Sequence, residues 1–264
     1  MMKGVIEFLV SNTAEAQALR ENFVFKIVPM LNPDGVINGN YRCSLAGQDL
    51  NRRWKTPSKH LHPENWHVKK MIREFIRERE MILCCDLHGH SRRNNIFMYG
   101  NNFENQPHAT RVFPFIMSKL LDFFSFEYSR FSIHKSKEAT QRVTLWRELK
   151  IPNVFTMEAS FCGPDKGESK NKHFLPEQLM LAGRKLLEAL IVYTKITVPP
   201  LKPNQINGKI SAPSLPHSAE ESKVNTIYSD IKMQEIEQEL TTNKQLIEMT
   251  KGDEDGDDVS GSDS

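Results

Sequence analysis

The sequence lacks the features of a membrane-spanning or disulfide-stabilised protein. No apolar run approaches the roughly 18 residues that a membrane span needs, and no basic region with a following apolar stretch and cleavage site opens the chain. The few cysteines form no C-x-x-C pair and no disulfide framework: Cys43, Cys84, Cys85 and Cys162. We therefore expect a soluble, non-secreted protein with free thiols in a reducing compartment.

The net charge is close to neutral, but it is unevenly distributed. The chain has 264 residues, of which 39% are hydrophobic and 26% charged, enough for one substantial core. Residues 201–264 carry 6 basic and 13 acidic side chains, so that segment has a net charge of −7 and residues 1–200 one of +9. A basic body suggests an acidic partner or substrate; an ordinary solvated surface explains the same numbers, and charge alone does not choose.

Short apolar runs alternate with stretches of helical periodicity, which predicts an α/β fold. The apolar runs favour buried strands of a mixed, largely parallel sheet with helices on both faces. The predicted strands are Phe23–Leu31, Met81–Leu87 and the surroundings of Asn153–Thr156. The predicted helices are Met1–Val10, Thr13–Arg20, Trp66–Arg79, Thr110–Phe124 and Pro176–Lys195.

The composition changes sharply after this α/β region, which we take as a domain spanning residues 1–196. Residues 197–226 are rich in Pro, Ser and Asn and are predicted to be a linker. In the remaining segment, 227–264, Ile227–Met249 has the spacing of one amphipathic helix that could dock on a partner. The acidic stretch GDEDGDDVSGSDS that follows is expected to be disordered.

Two polar side chains follow buried strands. His88 lies in Asp-Leu-His-Gly-His-Ser directly after one apolar run, and Glu158 ends another. Ligands of open α/β sheets bind beyond the carboxyl ends of strands, so His88 is placed to reach a metal or substrate and Glu158 to act as a general base. Taken singly, each position is more often structural or solvent-facing.

A long loop, Asn32–Trp54, combines turn residues with basic side chains. Within it, Arg52 offers a planar two-donor fork and Asn51 a neutral amide donor, a pair suited to holding a carboxylate. On its own this loop also fits a solvated basic surface.

Three segments of the chain resemble the zinc carboxypeptidases, and within them the cytosolic carboxypeptidase family. They read MLNPDGVINGNYRCSLAGQDLNR, CDLHGHSRRNNIFMYG and FTMEAS, and the match runs from Met1 to about Lys195. The resemblance implies a zinc carboxypeptidase fold that is N-terminally truncated. It also implies a Zn²⁺ enzyme that removes glutamates from tubulin and other glutamate-rich protein tails. It further implies a cytoplasmic location with association to microtubules or cilia, and neither a nucleic acid nor a membrane as partner.

The resemblance also assigns roles to single residues. His88 is similar to the third zinc ligand, and Asn51 with Arg52 looks like the clamp on the substrate's terminal carboxylate. Arg42 resembles the arginine that polarises the scissile carbonyl. Glu158 looks like the general base that activates water and passes its proton to the leaving amine.

Two further assignments complete the implied site. Asp49 lies where the family places a carboxylate that orients the first ligand histidine. Arg142 is the best match for the basic residue that binds the side chain of the departing amino acid. This chain has Ala139-Thr140-Gln141 where the family commonly has Gly-Thr-Gly, which implies a bulkier pocket.

The family's first two zinc ligands come from an H-x-x-E motif, which the resemblance places before Met1. Two local substitutes are unsuitable: His62-Pro63-Glu64 has the wrong spacing, and His217 to Glu220 lies in the Pro/Ser-rich segment. One histidine does not hold catalytic zinc, which normally has three protein ligands. The sequence therefore predicts a weak zinc site and little hydrolysis by these residues alone.

Two non-catalytic alternatives follow from the incomplete ligand set. The chain could be an inactive pseudoenzyme or binding module that grips acidic C-terminal tails through Asn51, Arg52 and Arg142. Alternatively, the helix Ile227–Met249 and the acidic tail could serve as a scaffold for partners.

Overall fold

The computed structural model describes residues 1–103, 105–199 and 233–251, and these form a mixed sheet packed between helices. The strands are β1 (Cys84–His90), β2 (Ile96–Tyr99) and β3 (Val154–Ser160), in the order β1-β3-β2. β1 runs parallel to the central strand β3, and β2 runs antiparallel to it. The predicted α/β class and mixed sheet are confirmed.

Nine helices lie in the described part of the chain. Their bounds are α1 Met2–Leu9, α2 Ala14–Asn22, α3 Pro33–Asn38, α4 Pro63–Glu78, α5 Val112–Leu120, α6 Gln141–Leu149, α7 Pro176–Thr194, α8 Met233–Thr242 and α9 Lys244–Glu248. Helical periodicity predicted α1, α2, α4, α5 and α7. It missed α3, α6 and the short strand β2, which are too short to show a full amphipathic pattern.

Alternate residues of β3 face two separate apolar clusters. Phe155, Met157 and Ala159 point into the larger cluster, which also contains buried side chains of α1, α5 and α7. Val154 belongs to a smaller cluster with side chains of α4 and α6. Because side chains alternate across a strand, Glu158 lies on the same face as Val154. The helices thus cover both faces of the sheet, as predicted.

Two glycines allow α1 and α7 to approach each other closely. A Cβ at Gly4 would overlap the backbone of Met180, and a Cβ at Gly183 would overlap the backbone of Met1. The absence of a side chain at these positions lets the apolar surfaces of both helices meet. This crossing anchors the first helix on the longest one.

The predicted strand Phe23–Leu31 is wrong. The segment pairs with none of the described strands, and its apolar side chains are largely solvent-facing, with Val24 48% and Met30 51% exposed. A β-branched apolar run favours a strand only where a neighbouring strand supplies backbone partners. The described sheet offers none beside this segment.

The predicted single helix Ile227–Met249 is also different in the structure. Residues 233–251 form two helices, broken at Asn243, whose side chain accepts a hydrogen bond from Gln245 N at 3.2 Å and caps α9. α8 packs its apolar face against α5, and buried Arg111 donates through Nε to Thr250 Oγ1 at 2.8 Å. Docking of this segment on a partner stays a prediction. Residues 200–232, with most of the predicted linker and His217, and the acidic residues 252–264 lie outside the described structure.

All four cysteines are free thiols, as predicted. Among the described residues, no helix combines the length and the apolar content that crossing a membrane requires.

The α1–α7 crossing gives a stability prediction. We expect Gly183→Ala to lower the free energy of unfolding by about 1 to 3 kcal/mol, because the added methyl group meets the Met1 backbone. This holds although alanine is the better helix former. Urea unfolding measures the change, with Leu181→Ala, on an exposed position of the same helix, as the control expected within about 0.5 kcal/mol. An unchanged or raised midpoint for Gly183→Ala would contradict the close crossing.

Candidate active-site cleft

The register of β1 on β3 places His88 directly beside Glu158. The two side chains project from neighbouring strands on the same face of the sheet, at the carboxyl ends of both strands. Both line one cleft, and Glu158 is 7% exposed. The two residues that the sequence placed at strand ends therefore meet in one site.

His88 is oriented by a carboxylate on its own strand. Its Nε2 lies 2.8 Å from Asp86 Oδ2, two residues earlier on the same strand face. Burial by itself would lower the pKa of His88, but the charges of Asp86 and Glu158 and the hydrogen bond that His88 donates to Asp86 raise it to about 9. The hydrogen bond occupies Nε2, so Nδ1 is the ring atom left to face a ligand.

The loop before α4 is shaped by Asp49. One of its carboxylate oxygens accepts a hydrogen bond from Asn51 N at 2.9 Å and caps the 3₁₀ turn Leu50–Arg52. The other accepts from Arg42 Nε, also at 2.9 Å. Asp49 therefore fixes Arg42 and Asn51 relative to each other. Within the described residues it is hydrogen-bonded to no histidine, so its suggested role in orienting a zinc ligand stays a prediction.

Asn51 connects this loop to the start of α6. Its amide oxygen accepts a hydrogen bond from Gln141 N at 3.0 Å, which leaves the amide nitrogen as the group that can donate to a ligand. Buried Lys69 makes a second connection, donating to Trp54 O at 2.7 Å and forming an ion pair with Glu148 of α6 at 2.8 Å. The loop and α6 are thus held as one unit.

Arg142 enters the cleft from the first turn of α6. The guanidinium is buried and donates to the carbonyl oxygen of Gly100 and to Asn101 Oδ1, the latter at 3.1 Å. Burial lowers the pKa of Arg142 to about 10, and the nearby Glu158 carboxylate opposes part of this change. The side chain therefore remains positively charged at neutral pH inside the cleft.

Six of the seven residues assigned from the sequence line the same cleft, and the seventh, Asp49, is hydrogen-bonded to two of them, Arg42 and Asn51. The lining residues are Tyr41, Arg42, Asn51, Arg52, His88, Gly89, His90, Ser91, Tyr99, Lys137, Thr140, Arg142, Thr156 and Glu158. Three arginines and a lysine thus surround a single carboxylate. Such a site favours an anionic ligand.

Sequence reasoning missed His90 and Tyr99. His90 is buried; its Nδ1 accepts hydrogen bonds from the backbone N–H groups of Arg92 and Arg93, and its Nε2 lies 3.4 Å from Tyr99 Oη. The spacing from His88 to His90 puts both residues on one strand face, a signal that could have indicated this position.

Arg93 donates to Tyr128 O at 3.2 Å, and neither Arg92 nor Arg93 is among the residues that line the cleft.

Among the described residues, His88 is the candidate zinc ligand. The Asp86–His88 hydrogen bond has the form of the carboxylate–histidine pair that orients metal-ligating imidazoles. However, no group of three or more His, Cys, Asp or Glu side chains in the described ranges could hold a metal ion. His62 is no substitute, because it is buried and its Nδ1 accepts a hydrogen bond from Ser58 N at 3.0 Å. The set fits a single ligand position and not a complete zinc site.

The Asp86–His88 pair gives a pH prediction for metal-free protein. Because the folded-state pKa is raised to about 9, protonation of His88 stabilises the fold below pH of about 6.5, and this contribution is lost as pH rises through about 9. Asp86→Asn removes the main opposing charge, so we expect the pKa of His88 to fall towards or below 6.5. An NMR titration of the imidazole signals in chelator measures this, with exposed His67 as the internal control. Equal His88 pKa values in both proteins would contradict the pairing.

Comparisons with known proteins agree with this geometry. The sequence profile of the family described as zinc carboxypeptidase matches residues 1–178. Cytosolic carboxypeptidase 2 of Xenopus tropicalis is 47% identical over 197 residues, covering 73% of this chain and 20% of that protein. Cytosolic carboxypeptidase 2 of Mus musculus is 43% identical over 250 residues, covering 90% and 28%. The chain thus spans less than a third of the length of these relatives.

A solved structure shares the fold. It is a metallo-carboxypeptidase from Pseudomonas aeruginosa in complex with (2-guanidinoethylmercapto)succinic acid. It is 26% identical and superposes with a TM-score of 0.64 over 74% of this chain and 52% of that one. With the profile match over more than half of the sequence, the chain belongs to the zinc carboxypeptidase family, among the cytosolic carboxypeptidases.

Proposed function

We propose that this chain forms the substrate-binding and proton-transferring part of a metallocarboxypeptidase that removes glutamates from acidic protein tails such as those of tubulin. One observation carries the proposal: Arg42, Arg52 and Arg142 converge with Asn51 on the cleft that holds Glu158. An acidic C-terminal residue has two carboxylates, and the cleft offers a separate cationic group for each.

The clamp would bind the terminal carboxylate. Arg52 supplies a planar fork of donors, and Asn51 supplies its amide nitrogen because its oxygen is held by Gln141 N. Arg142 lies in the same cleft and remains charged, so it would bind the carboxylate of a glutamate side chain. Recognition of the chain terminus is what makes such an enzyme remove one residue at a time.

Two residues would assist the chemical step. Glu158 is within the cleft and acts as the base that takes a proton from water and gives it to the leaving amine. Arg42, held by Asp49 at 2.9 Å, stabilises negative charge on the scissile carbonyl oxygen. Zinc in this family supplies Lewis-acid activation, and His88 is the residue that would bind it here. Among the described residues, His88 is the one that would take a ligand position.

The names of the relatives support a cytoplasmic location, since they are called cytosolic carboxypeptidases. Association with microtubules or cilia follows from the proposed tubulin substrate. The activity, substrates and location of the whole protein are part of this proposal, because the chain covers only 20% and 28% of the two relatives named above.

The clamp is tested by removing either partner of the proposed contact. Arg52→Ala should weaken binding of a glutamate-rich peptide about 10- to 100-fold, because a charge-assisted hydrogen-bond pair contributes about 1.5 to 3 kcal/mol. Amidation of the peptide's C-terminus should weaken binding to the unaltered chain by a similar factor. For the Arg52→Ala variant, amidation should weaken binding little further. Fluorescence anisotropy measures the four affinities.

If amidation and Arg52→Ala weaken binding independently, so that their effects multiply, the clamp assignment fails. Release of free glutamate from the unblocked peptide separates an enzyme from a binding module. Clamp-dependent binding without any release, in a zinc-loaded sample of the longest form of the protein, would favour the binding module.

A further inference from the structure

A second groove lies on the surface of α4, beyond the cleft. It has a volume of about 430 Å³ and lies between this helix and residues 55–57, which follow the loop that carries Asn51 and Arg52. Its lining residues are Lys55, Thr56, Pro57, Trp66, Lys69, Lys70, Arg73, Glu74 and Arg77. Five of these side chains are basic and one is acidic. The proposed chemistry of the cleft involves none of them.

Trp66 and three basic residues form a regular stripe along one face of the helix. Trp66, Lys70, Arg73 and Arg77 follow one another at intervals of three or four residues, which places them on the same side of α4. Ile72 faces the smaller apolar cluster instead. The stripe extends over about 16 Å, since a helix rises about 1.5 Å per residue.

Trp66 contacts one lysine of the groove, Lys70, and one that lies outside its lining, Lys59. The ammonium groups of Lys59 and Lys70 lie 5.3 Å and 5.6 Å from the centroid of its ring. Such cation–π contacts keep the charged groups near the apolar wall without neutralising them. The indole therefore contributes to a concentrated positive charge.

Two acidic side chains reduce this charge only in part. Glu74 lies 3.7 Å from Lys70 on the exposed helix surface, where an ion pair contributes little. Glu148 forms ion pairs with Lys69 at 2.8 Å and with Arg73 at 3.0 Å, and these contacts join α6 to α4. Lys55 and Arg77 add further positive charge to the groove.

We propose that this groove is a second binding site, which holds an acidic segment of the glutamate-rich protein whose C-terminus enters the cleft. The inference rests on the proposed function and extends it. Lys55 follows Arg52 by only three residues, so the groove begins within about 11 Å of the clamp backbone. Substrate length would then determine affinity, because only longer acidic tails reach both sites.

The spacing of the charges fits an extended acidic peptide. Every second residue of an extended strand faces the same way, so its glutamates repeat at about 6.6 Å. Basic residues four apart on a helix repeat at about 6 Å. The basic part of the stripe, from Lys70 to Arg77, spans about 10 Å and therefore matches about three residues of extended peptide.

An acidic peptide fits better than a single-stranded nucleic acid. Nucleic-acid grooves combine positive charge with aromatic rings on which bases stack. Trp66 is the aromatic residue of this groove, and it is already in contact with two lysines and, edge to face, with His67 at 4.8 Å. The groove therefore offers charge without an open stacking surface.

The experiment compares two ligands that differ in reach. A tripeptide ending in glutamate engages only the cleft, and a peptide of about 12 glutamates spans about 40 Å when extended and can reach both sites. We expect Lys70→Ala/Arg77→Ala to weaken the long peptide about tenfold at about 0.1 M salt and to leave the tripeptide within twofold. Lys3→Ala/Lys172→Ala, which removes the same charge outside the groove, is the matched control and should change neither affinity.

A variant that strengthens binding excludes misfolding as the cause. Glu74→Gln removes the acidic residue of the groove and releases Lys70, so the long peptide should bind about two- to threefold more tightly while the tripeptide is unaffected. A Glu74→Gln protein that binds the long peptide no better would overturn the proposal.

Three other results would also overturn it. The first is that Lys70→Ala/Arg77→Ala weakens binding of the tripeptide as much as that of the long peptide. The second is that the control variant Lys3→Ala/Lys172→Ala loses as much affinity as the groove variant. The third is that a single-stranded DNA of matched charge binds more tightly than the long peptide and depends on the same residues. Failure of the proposed function is distinguishable. In that case the tripeptide would not bind and Arg52→Ala would have no effect, while the long peptide would still depend on Lys70 and Arg77.

Discussion

The parallel pairing of β1 with β3 is the constraint on which the site depends. Its register sets His88 beside Glu158, and it brings Asp86, two residues earlier, to the same face. A shift of one residue would turn either side chain into the apolar cluster on the other face. The packing of Phe155, Met157 and Ala159 into that cluster therefore also determines where the charged residues of the cleft lie.

The second half of the cleft depends on hydrogen bonds between the loop before α4 and the helix α6. Asn51 accepts from Gln141 N, and Lys69 joins the backbone of Trp54 to Glu148. These contacts connect Arg52 with Arg142 through backbone and buried polar groups. An otherwise irregular loop can in this way hold a guanidinium in a defined position.

Much of the site could be predicted from the sequence, because the segments that carry it are contiguous motifs. Asn51 and Arg52, His88, and Glu158 were each identified from local patterns, and the structure places all four in one cleft. Contacts between distant segments could not be foreseen. The burial of Arg142 against Gly100 and the packing of α8 on α5 depend on three-dimensional neighbours. For Phe23–Leu31 the local pattern led to a wrong prediction. The residues favour a β-strand, but none of the described strands pairs with them.

We propose that the protein has a cationic surface with two parts, a cleft that binds a chain terminus and a groove that binds an acidic segment. The central claim is that the cleft selects an acidic C-terminal residue. The most direct measurement is the affinity for two tripeptides that differ only in ending with glutamate or glutamine. We predict about tenfold or more in favour of glutamate, because Arg142 is a buried cation that lines the cleft and attracts a side-chain carboxylate more strongly than a neutral amide. Equal affinities would contradict the claim.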